Sequence, residues 1–137
     1  MRALRIERPL LDQMIDHCLA AFPEEGCGLL SGRGERVTSV LPATNAAAAP
    51  REAFALAPAE QLRLFREIAR RGEELVGIFH SHPRSEPVPS RRDIESAFYP
   101  EVAYVIITLV RGPVVRVFRI DRARGAYYDL PLITSHC

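Results

Sequence analysis

Alternating and periodic apolar positions near the start of the chain predict a strand followed by a helix. Leu4 and Ile6 alternate with charged residues, as in a half-buried strand. Pro9 stands where a helix can begin, because the first turn leaves its N–H groups without partners in any case. Pro23 is expected to end this helix. The apolar residues between them recur at helical spacing and predict one buried stripe: Leu11, Met14, Ile15, Cys18 and Phe22.

The middle of the chain predicts a hairpin, a loop, a second helix and a buried strand. Two apolar runs around Arg33-Gly34 predict the hairpin, residues 42–51 lack periodicity, and residues 54–56 are expected to form a short strand. The second helix is expected to begin near Pro58 and to end at a stop signal, Arg70-Arg71-Gly72. Its predicted buried face consists of four residues: Leu62, Phe65, Ile68 and Ala69. The unbroken apolar run 75–79 is typical of a central strand that is buried on both faces.

The remaining elements follow a segment rich in proline, which is expected to keep residues 80–90 out of regular structure. Ser90 is expected to start a short helix with Ile94, Ala97 and Phe98 on one side. Further strands are predicted at residues 104–109, 114–120 and 127–132. This order predicts a single domain over residues 1–137, of the α/β (α+β) class, with one mixed or mostly antiparallel β-sheet and flanking helices.

The charge balance argues against one large class of function. The 137 residues include 18 basic and 17 acidic side chains, so the formal net charge is only +1. Because nucleic-acid-binding domains usually carry a basic excess, we expect no nucleic-acid partner. The basic residues Arg63, Arg66, Arg70 and Arg71 are expected to form a solvated helix face.

Hydropathy and cysteine usage indicate a soluble, cytoplasmic protein. No apolar run reaches the roughly 18 residues of a membrane span, so no membrane association is expected. No signal peptide is visible, because Glu7 and Asp12 interrupt the N-terminal apolar stretch. Cys18, Cys27 and Cys137 are odd in number and lack C-x-x-C spacing, which suits a reducing compartment.

Candidate chemistry begins with His80 and His82, at the end of the predicted central strand. Side chains alternate across a strand, so both imidazoles are expected on one face, together with Val76 and Ile78. Two neutral imidazoles at this spacing can share one divalent metal ion. An H-x-H pair alone is a weak signal, because several unrelated kinds of metal site use it.

The residues after the pair argue against three such sites. A metallo-β-lactamase-like site requires an Asp two residues after the second His, and the nearby Ser85 and Glu86 do not fit. Amidohydrolases need a barrel of about 250 residues, which this chain cannot form. A cupin-like site needs a Glu and a distant third His; Glu86 could serve as the first, and His136 is the only later histidine.

Ser90 and Asp93 stand in the S-x-x-D relation, which predicts a helix N-cap with an acidic residue in the first turn. Such a cap would hold the Asp93 carboxylate on a rigid turn, from which it can point at a metal ion. The capping and metal-binding interpretations are therefore compatible.

These residues together resemble a known family, the JAMM (MPN+) zinc metallopeptidases. The upstream segment 23–32, PEEGCGLLSG, resembles the E-x-C-G-hydrophobic segment of that family, and the likeness covers most of the chain. It implies a compact prokaryotic-type single-domain member with an MPN/JAMM-like, cytidine-deaminase-like architecture. The JAMM motif itself is matched in order and spacing by His80-Ser81-His82, seven residues, Ser90, two residues and Asp93.

The resemblance implies a role for each matched residue. His80, His82 and Asp93 would be the protein ligands of one Zn2+ per chain, with water in the fourth position of an open catalytic site. Glu25 would take a proton from that water and deliver it to the leaving amine. Ser90 would donate a hydrogen bond to the oxyanion of the tetrahedral intermediate.

Glu24 is the alternative to Glu25 as the base, because the two glutamates are adjacent. The family's base lies two residues before the cysteine of the upstream segment, which selects Glu25. On a strand the two side chains point to opposite faces, so only one of them can serve. Cys27 is expected to be a small buried residue rather than a reactive thiol.

The resemblance also implies a substrate class. Family members cut amide or isopeptide bonds after the C-terminal Gly-Gly of ubiquitin or ubiquitin-like proteins, and compact members resemble enzymes that act on sulfur-carrier proteins. We therefore expect a ubiquitin-like or sulfur-carrier protein as partner, its extended tail pairing with an exposed sheet edge beside the metal. The sequence leaves open whether the chain forms a homodimer and whether the loop 84–89 moves on binding.

Two other functions remain as alternatives at this point. A non-catalytic MPN scaffold would bind partners only, but inactive members typically lose a motif residue and all five positions are filled here. A RadC-like protein linked to DNA repair would carry H-N-H-P-S-G in the motif, whereas Ser81 and Arg84-Ser85 resemble the peptidase branch.

Overall fold

The computed structural model describes residues 1–135; His136 and Cys137, and with them any role of this cysteine, lie outside the described residues. Within that range the chain forms the following elements: β1 (Leu4–Glu7), α1 (Arg8–Ala21), β2 (Cys27–Arg33), β3 (Arg36–Ala43), α2 (Pro58–Arg70), β4 (Glu74–His82), α3 (Arg91–Glu95), β5 (Ala103–Thr108), β6 (Val114–Asp121), β7 (Ala126–Leu130) and β8 (Leu132–Ser135). No helix in this range is long and apolar enough to cross a membrane.

All eight strands belong to one mixed sheet, in the order β7-β6-β5-β4-β2-β3-β1-β8. The pairs β1–β3, β1–β8 and β4–β5 are parallel, and the other neighbours are antiparallel. The predicted α+β class with a mixed sheet and flanking helices is therefore confirmed. Because β4 lies between β5 and β2, the exposed sheet edge expected beside the candidate metal ligands is absent from the described sheet, and that expectation is wrong.

The last predicted strand is in fact two strands. Pro131 separates β7 from β8, and β8 pairs with β1 at the other end of the strand order. One residue spans only about 3.5 Å, so the two ends of the strand order must approach each other and the sheet curls back on itself. The proline supplies no N–H for a ladder, but its carbonyl accepts a hydrogen bond from the Leu4 N–H at 2.8 Å.

Both faces of the sheet are covered by apolar side chains. Leu11, Met14 and Cys18 of α1 pack on one face, as predicted for that stripe. α2 covers part of the other face with Leu64 and Ile68. α3 and the segment between it and β5 cover the β5–β6 part of this face, with Ile94, Ala97 and Val102.

Four of the predicted core positions on the helices are exposed. Leu62 is 52% exposed because the buried stripe of α2 runs through Leu64 and Ile68, four residues apart, which places Leu62 on the outer side. Ala69 is exposed because it follows the buried Ile68 and lies about 100° further round α2, beyond the buried stripe. Phe22 is 50% exposed because it caps α1 instead of continuing its stripe. Phe98 is 64% exposed because α3 already ends at Glu95.

The loop between β3 and α2 and the end of β4 differ from the predictions. Residues 54–56 form no strand. The Ala55 carbonyl instead accepts a hydrogen bond from the Ala46 N–H, and the Ala55 N–H donates to the Asn45 side chain. β4 continues through His80 to His82 before the proline-rich segment begins, because β2 and β5 supply ladder partners for these residues.

Candidate metal centre

The central strand β4 presents both histidines on one face, as predicted, but a β-bulge changes which residues share that face. The pairing of β4 with β2 skips Val76, between Gly77 opposite Leu30 and Leu75 opposite Ser31. An extra residue shifts the alternation, so Val76 packs with Phe79 against α1. The predicted placement of Val76 beside the histidines is wrong, and the face of His80 and His82 carries Ile78 instead.

The side chains of His80, His82 and Asp93 converge on one point. The His80 Nε2 lies 3.2 Å from Asp93 Oδ1, the His82 Nε2 lies 3.0 Å from Asp93 Oδ2, and the two Nε2 atoms are 3.1 Å apart. Both histidines are buried, and Asp93 is half-buried at the mouth of the site. Each residue therefore offers one donor atom to the same small volume.

Asp93 is held by the helix cap that its sequence predicts. The Ser90 Oγ accepts a hydrogen bond from the Asp93 N–H at 3.0 Å, and the Asp93 Oδ2 accepts one from the Ser90 N–H at 2.9 Å. This capping box fixes the start of α3 and the direction of the carboxylate. The Ser90 hydroxyl hydrogen is not used in the cap, so it can donate toward the site.

The charges of the three groups stabilise one another. Burial alone would raise the pKa of Asp93, but its hydrogen bonds to His80 and His82 outweigh burial and hold the pKa well below its usual range. Burial would lower the pKa of His82, and the Asp93 carboxylate and the Glu86 carbonyl outweigh it and raise the pKa. Asp93 is therefore an anion, which is the state that a metal ligand requires.

The geometry fits a zinc ion. A tetrahedral zinc site with bonds of about 2.0–2.1 Å places its ligand atoms about 3.3 Å apart, close to the 3.0–3.2 Å separations found here. The His82 Nδ1 donates to the Glu86 carbonyl at 2.8 Å, which leaves Nε2 with its lone pair toward the site. The ring of His80 is stacked on Phe54, 4.5 Å between centroids. Two histidines and one carboxylate are also the ligand set of an open catalytic zinc site.

The ladder between β2 and β4 brings Glu25 to the same face. Cys27 pairs with His80, and the Gly26 carbonyl accepts from the Ser81 N–H at 3.0 Å, so Glu25 lies opposite His82. Directly opposite residues on antiparallel strands project to the same face. A Cβ on Gly26 would lie 2.8 Å from the Cys18 Cα, so glycine lets this segment approach α1.

The carboxyl group of Glu25 is buried and has an unused oxygen. Glu25 is 5% exposed, and its Oε1 has no hydrogen-bond partner among the described residues. Burial raises its pKa to about 7; Asp93 adds to that rise, and His82 and Arg92 oppose it. The adjacent Glu24 is exposed, so of the two candidate bases only Glu25 faces the site.

Asn45 fixes the backbone around Glu25, a contribution that the sequence pattern alone did not indicate. Its Nδ2 lies within hydrogen-bond distance of the carbonyls of Glu25, Pro50 and Ala53, at 2.9, 3.1 and 2.9 Å. Its Oδ1 accepts from Ala47 and Ala55. The signal in the sequence was a lone Asn before an Ala/Pro-rich loop, and only the fold shows that the loop wraps around its side chain.

Two clefts border the three candidate metal ligands, one lined by His80 and Asp93 and the other by His82. The first, which we call the aromatic cleft, has a volume of about 400 Å³ and is lined by Phe54, Phe65 and Tyr99 together with His80 and Asp93. The second, which we call the arginine cleft, has a volume of about 570 Å³. Its lining includes Glu25, Arg51, Glu52, His82, Arg84 and Ser90.

A His-His-Asp cluster that could hold a metal ion, beside a buried glutamate, is an arrangement that suits a metal-dependent hydrolase. Comparisons with known proteins identify the family. The sequence model of one protein family, the prokaryotic homologs of the JAB domain, matches residues 7–121 of this chain. The chain therefore belongs to this family, which confirms the predicted compact JAMM/MPN membership.

Individual relatives agree with this assignment. The chain is 43% identical to the desampylase of Haloferax volcanii over 86 residues, 61% of this chain and 62% of the relative, so the match spans about three fifths of that protein's length. It is 35% identical to the CysO-cysteine peptidase of Mycobacterium tuberculosis over 107 residues, 77% of this chain and 73% of the relative. The solution structure of a Desulfitobacterium hafniense protein matches with a TM-score of 0.86 at 32% identity, covering 98% of this chain and 94% of that one.

Proposed function

We propose that this protein is a zinc-dependent peptidase or isopeptidase that hydrolyses the amide bond after the C-terminal Gly-Gly of a ubiquitin-like or sulfur-carrier protein. The observation that carries the proposal is the buried Glu25 carboxyl with its unused oxygen, on the same face as the three converging metal-binding side chains. A site that only bound metal for stability would not need a buried acid beside it. A cytoplasmic location remains a prediction from the sequence.

His80, His82 and Asp93 would hold the zinc ion, with the Glu86 carbonyl and the Ser90 cap orienting His82 and Asp93. When bound, zinc supplies a Lewis acid that makes a water molecule acidic enough to act as a nucleophile near neutral pH. Because the two clefts border these three side chains, water and substrate would reach the zinc ion through the clefts.

Glu25 would act as general base and then as general acid. Its Oε1 is free to accept the proton of the attacking water, and the same carboxyl can return that proton to the leaving nitrogen. Its burial keeps the carboxyl out of bulk water, and the backbone bonds to Pro50 and Asn45 keep its position fixed.

Ser90 would stabilise the oxyanion. Its Oγ accepts from the Asp93 N–H, which fixes the hydroxyl and leaves its hydrogen available toward the arginine cleft. One donor placed on a developing oxyanion contributes about 3 kcal/mol to lowering the barrier.

The substrate class is supported by the relatives. One is a desampylase and another a CysO-cysteine peptidase, so the named activities of both concern a small protein and what is attached to it. The aromatic cleft beside His80 offers an apolar surface to the chain that precedes the scissile bond. We propose that this chain acts on a protein partner and binds neither nucleic acid nor membrane. Formation of a homodimer stays a possibility raised by the sequence.

Metal loading and cleavage test the proposal together. The purified chain is stripped with a chelator, reconstituted with zinc, and assayed on ubiquitin-like proteins that carry an extension or a conjugate after Gly-Gly. We expect about one zinc per chain and cleavage after the second glycine only in the zinc-loaded protein. Absence of zinc binding after reconstitution would contradict the enzyme class, and zinc binding without cleavage of any such substrate would contradict the substrate class.

A further inference from the structure

The position of Glu25 assigns the two clefts to the two sides of the scissile bond. A general acid must reach the leaving nitrogen to protonate it, and Glu25 lines the arginine cleft with His82 and Ser90. The leaving amine therefore belongs in the arginine cleft, and the Gly-Gly side of the substrate belongs in the aromatic cleft. The chemistry of the arginine cleft then determines which leaving groups are accepted.

The arginine cleft contains two guanidinium groups whose charges are not neutralised. Arg51 and Arg84 are exposed, and among residues 1–135 neither has a carboxylate within 4.0 Å or a side-chain hydrogen bond. Among residues 1–135, ten of the 18 arginines form no ion pair, and Arg51 and Arg84 are the two of these ten that line this cleft. The other eight arginines form ion pairs: Arg5, Arg8, Arg63, Arg70, Arg71, Arg91, Arg116 and Arg124.

The acidic groups of the cleft do not cancel this charge. Glu52 lines it and, within the described residues, pairs with no arginine. Arg92 adds a third positive charge nearby, because its guanidinium donates to the Glu52 carbonyl at 3.4 Å and acts on Glu25 electrostatically. Two arginines, Arg51 and Arg84, thus line the cleft where the leaving group must lie, and Glu52 is the one carboxylate besides Glu25 in its described lining.

The backbone that carries both arginines is tied to the reacting groups. The Pro50 carbonyl, immediately before Arg51, accepts from the Glu25 N–H at 2.8 Å. Arg84 lies two residues after His82, in a turn whose Glu86 carbonyl accepts from the His82 Nδ1. The Ser85 carbonyl of the same turn accepts from the Thr108 hydroxyl at 2.7 Å. The starting points of both side chains are therefore fixed relative to the scissile bond.

We propose that Arg51 and Arg84 bind the free α-carboxylate of the leaving amino acid, so that the enzyme removes a short C-terminal extension from a Gly-Gly protein in preference to a lysine conjugate. This inference rests on the proposed function and names its substrate class more narrowly. In such an extension the carboxylate carbon is separated from the scissile nitrogen by the α-carbon alone. In a lysine conjugate four methylene groups follow that nitrogen, and the acceptor's carbonyl is part of a neutral peptide bond.

The reaction remains a simple hydrolysis. The oxygen of water forms a bond to the carbonyl carbon of the second glycine, the C–N bond to the extension breaks, and a proton from water goes through Glu25 to the released amine. The products are a protein that ends in Gly-Gly with a free carboxylate and an amino acid. Arginine suits the proposed contact because its planar fork binds carboxylates in a bidentate manner.

Three forms of one Gly-Gly-ending ubiquitin-like protein distinguish the possibilities: one extended by alanine with a free carboxylate, one extended by alanine carboxamide, and one joined to the Nε of N-acetyl-lysine carboxamide. We expect the zinc-loaded protein to cleave the carboxylate form with a kcat/KM at least about tenfold above that of the other two forms, because a charge-assisted contact is lost in each of them. Arg51→Gln and Arg84→Gln should each lower this ratio at least about threefold, through the carboxylate form alone. Arg66→Gln, at an exposed arginine of α2 outside both clefts, is the matched control and should leave all three rates unchanged.

Equal cleavage of the carboxylate and carboxamide forms would overturn the inference and leave the proposed function standing. Fastest cleavage of the lysine form would do the same, and so would an equal loss on all three forms in Arg51→Gln and Arg84→Gln. Failure to cleave any of the forms would overturn the proposed function together with this inference.

Discussion

The two faces of the β2–β4 strand pair share one hydrogen-bond ladder, but they differ in whether their buried polar side chains have hydrogen-bond partners. On the face covered by α1, Ser81 is the only buried polar side chain near the end of this pair among residues 1–135. It is hydrogen-bonded, because its Oγ accepts from the Gly26 N–H at 2.8 Å. On the opposite face, Glu25 Oε1 and His80 Nδ1 are buried and have no hydrogen-bond partner among residues 1–135. Buried polar atoms without a hydrogen-bond partner destabilise the folded state. Their concentration on one face therefore indicates that this face contains the functional site.

The comparison predicts different losses from the two faces. Substitutions on the α1 face should cost folding stability and leave the activity of the folded protein intact. Substitutions on the metal face should cost activity while changing stability little.

The largest effect is expected from Asp93→Ala. The change removes one of the three proposed metal ligands and one half of the capping box, so zinc affinity should fall by more than about 100-fold, since losing an outer partner alone costs about 10–100-fold. Cleavage should fall below detection, as measured by metal content after dialysis and by a gel assay. Asp129→Ala, at an exposed ion pair with Arg116, is the control and should retain both. Full zinc content in Asp93→Ala would remove Asp93 from the ligand set.

Ser90→Ala should give the next largest effect on activity. Loss of the hydroxyl donor is expected to lower kcat by about 10²–10³-fold, whereas loss of the N-cap costs about 1 kcal/mol of stability. Ser90→Thr keeps both groups and should recover most of the rate. Kinetics and thermal unfolding of the two variants separate the roles; a drop in stability with an unchanged kcat would leave Ser90 a capping residue only.

Gly28→Ala tests the α1 face. A Cβ at this position would lie 2.5 Å from the Phe79 ring and 2.6 Å from the Leu41 carbonyl oxygen. The resulting overpacking is expected to cost about 3 kcal/mol of unfolding free energy, measured by urea denaturation. The zinc content and kcat of the folded fraction should match those of the unchanged protein. An unchanged midpoint would show that the ladder can shift to accept a methyl group.

Ser81→Ala should be the mildest of these changes. It leaves the buried Gly26 N–H without its hydrogen-bond partner, which costs about 1–3 kcal/mol, and it removes no group from the metal face. Denaturation should show the loss, and kinetics per folded molecule should not. A fall in kcat without a loss of stability would contradict the separation of the two faces, since Ser81 lies between the two histidines.

The sequence predicted most of the strand order along the chain and the site residues because both rest on local signals. The H-x-H pair ends an unbroken apolar run, and Ser90 and Asp93 carry a capping pattern, so each can be identified without knowing what packs nearby. The mixed sheet and the family followed from the same patterns and are confirmed. The roles of Glu25, Ser90 and the three metal-binding residues stay predictions that the geometry supports.

What the sequence missed depends on contacts between distant segments. The bulge at Val76 arises from pairing with Leu30 and Ser31, and period-two alternation gives no sign of it. Leu62 and Leu64 are equally apolar, and only the orientation of α2 on the sheet decides which is buried. The strand expected at residues 54–56 is replaced by a loop built around Asn45, a side chain whose five backbone contacts span residues 25–55.

The central claim is that the buried glutamate turns a metal site into a hydrolase, and Glu25→Gln tests it most directly. The substitution keeps the size of the side chain and all three proposed metal ligands but removes the proposed base, while Glu24→Gln makes the same change on an exposed neighbour. We predict that Glu25→Gln retains about one zinc per chain and loses at least about 10³-fold in kcat, and that Glu24→Gln matches the unchanged protein in both. Near-normal turnover in zinc-loaded Glu25→Gln would contradict the account.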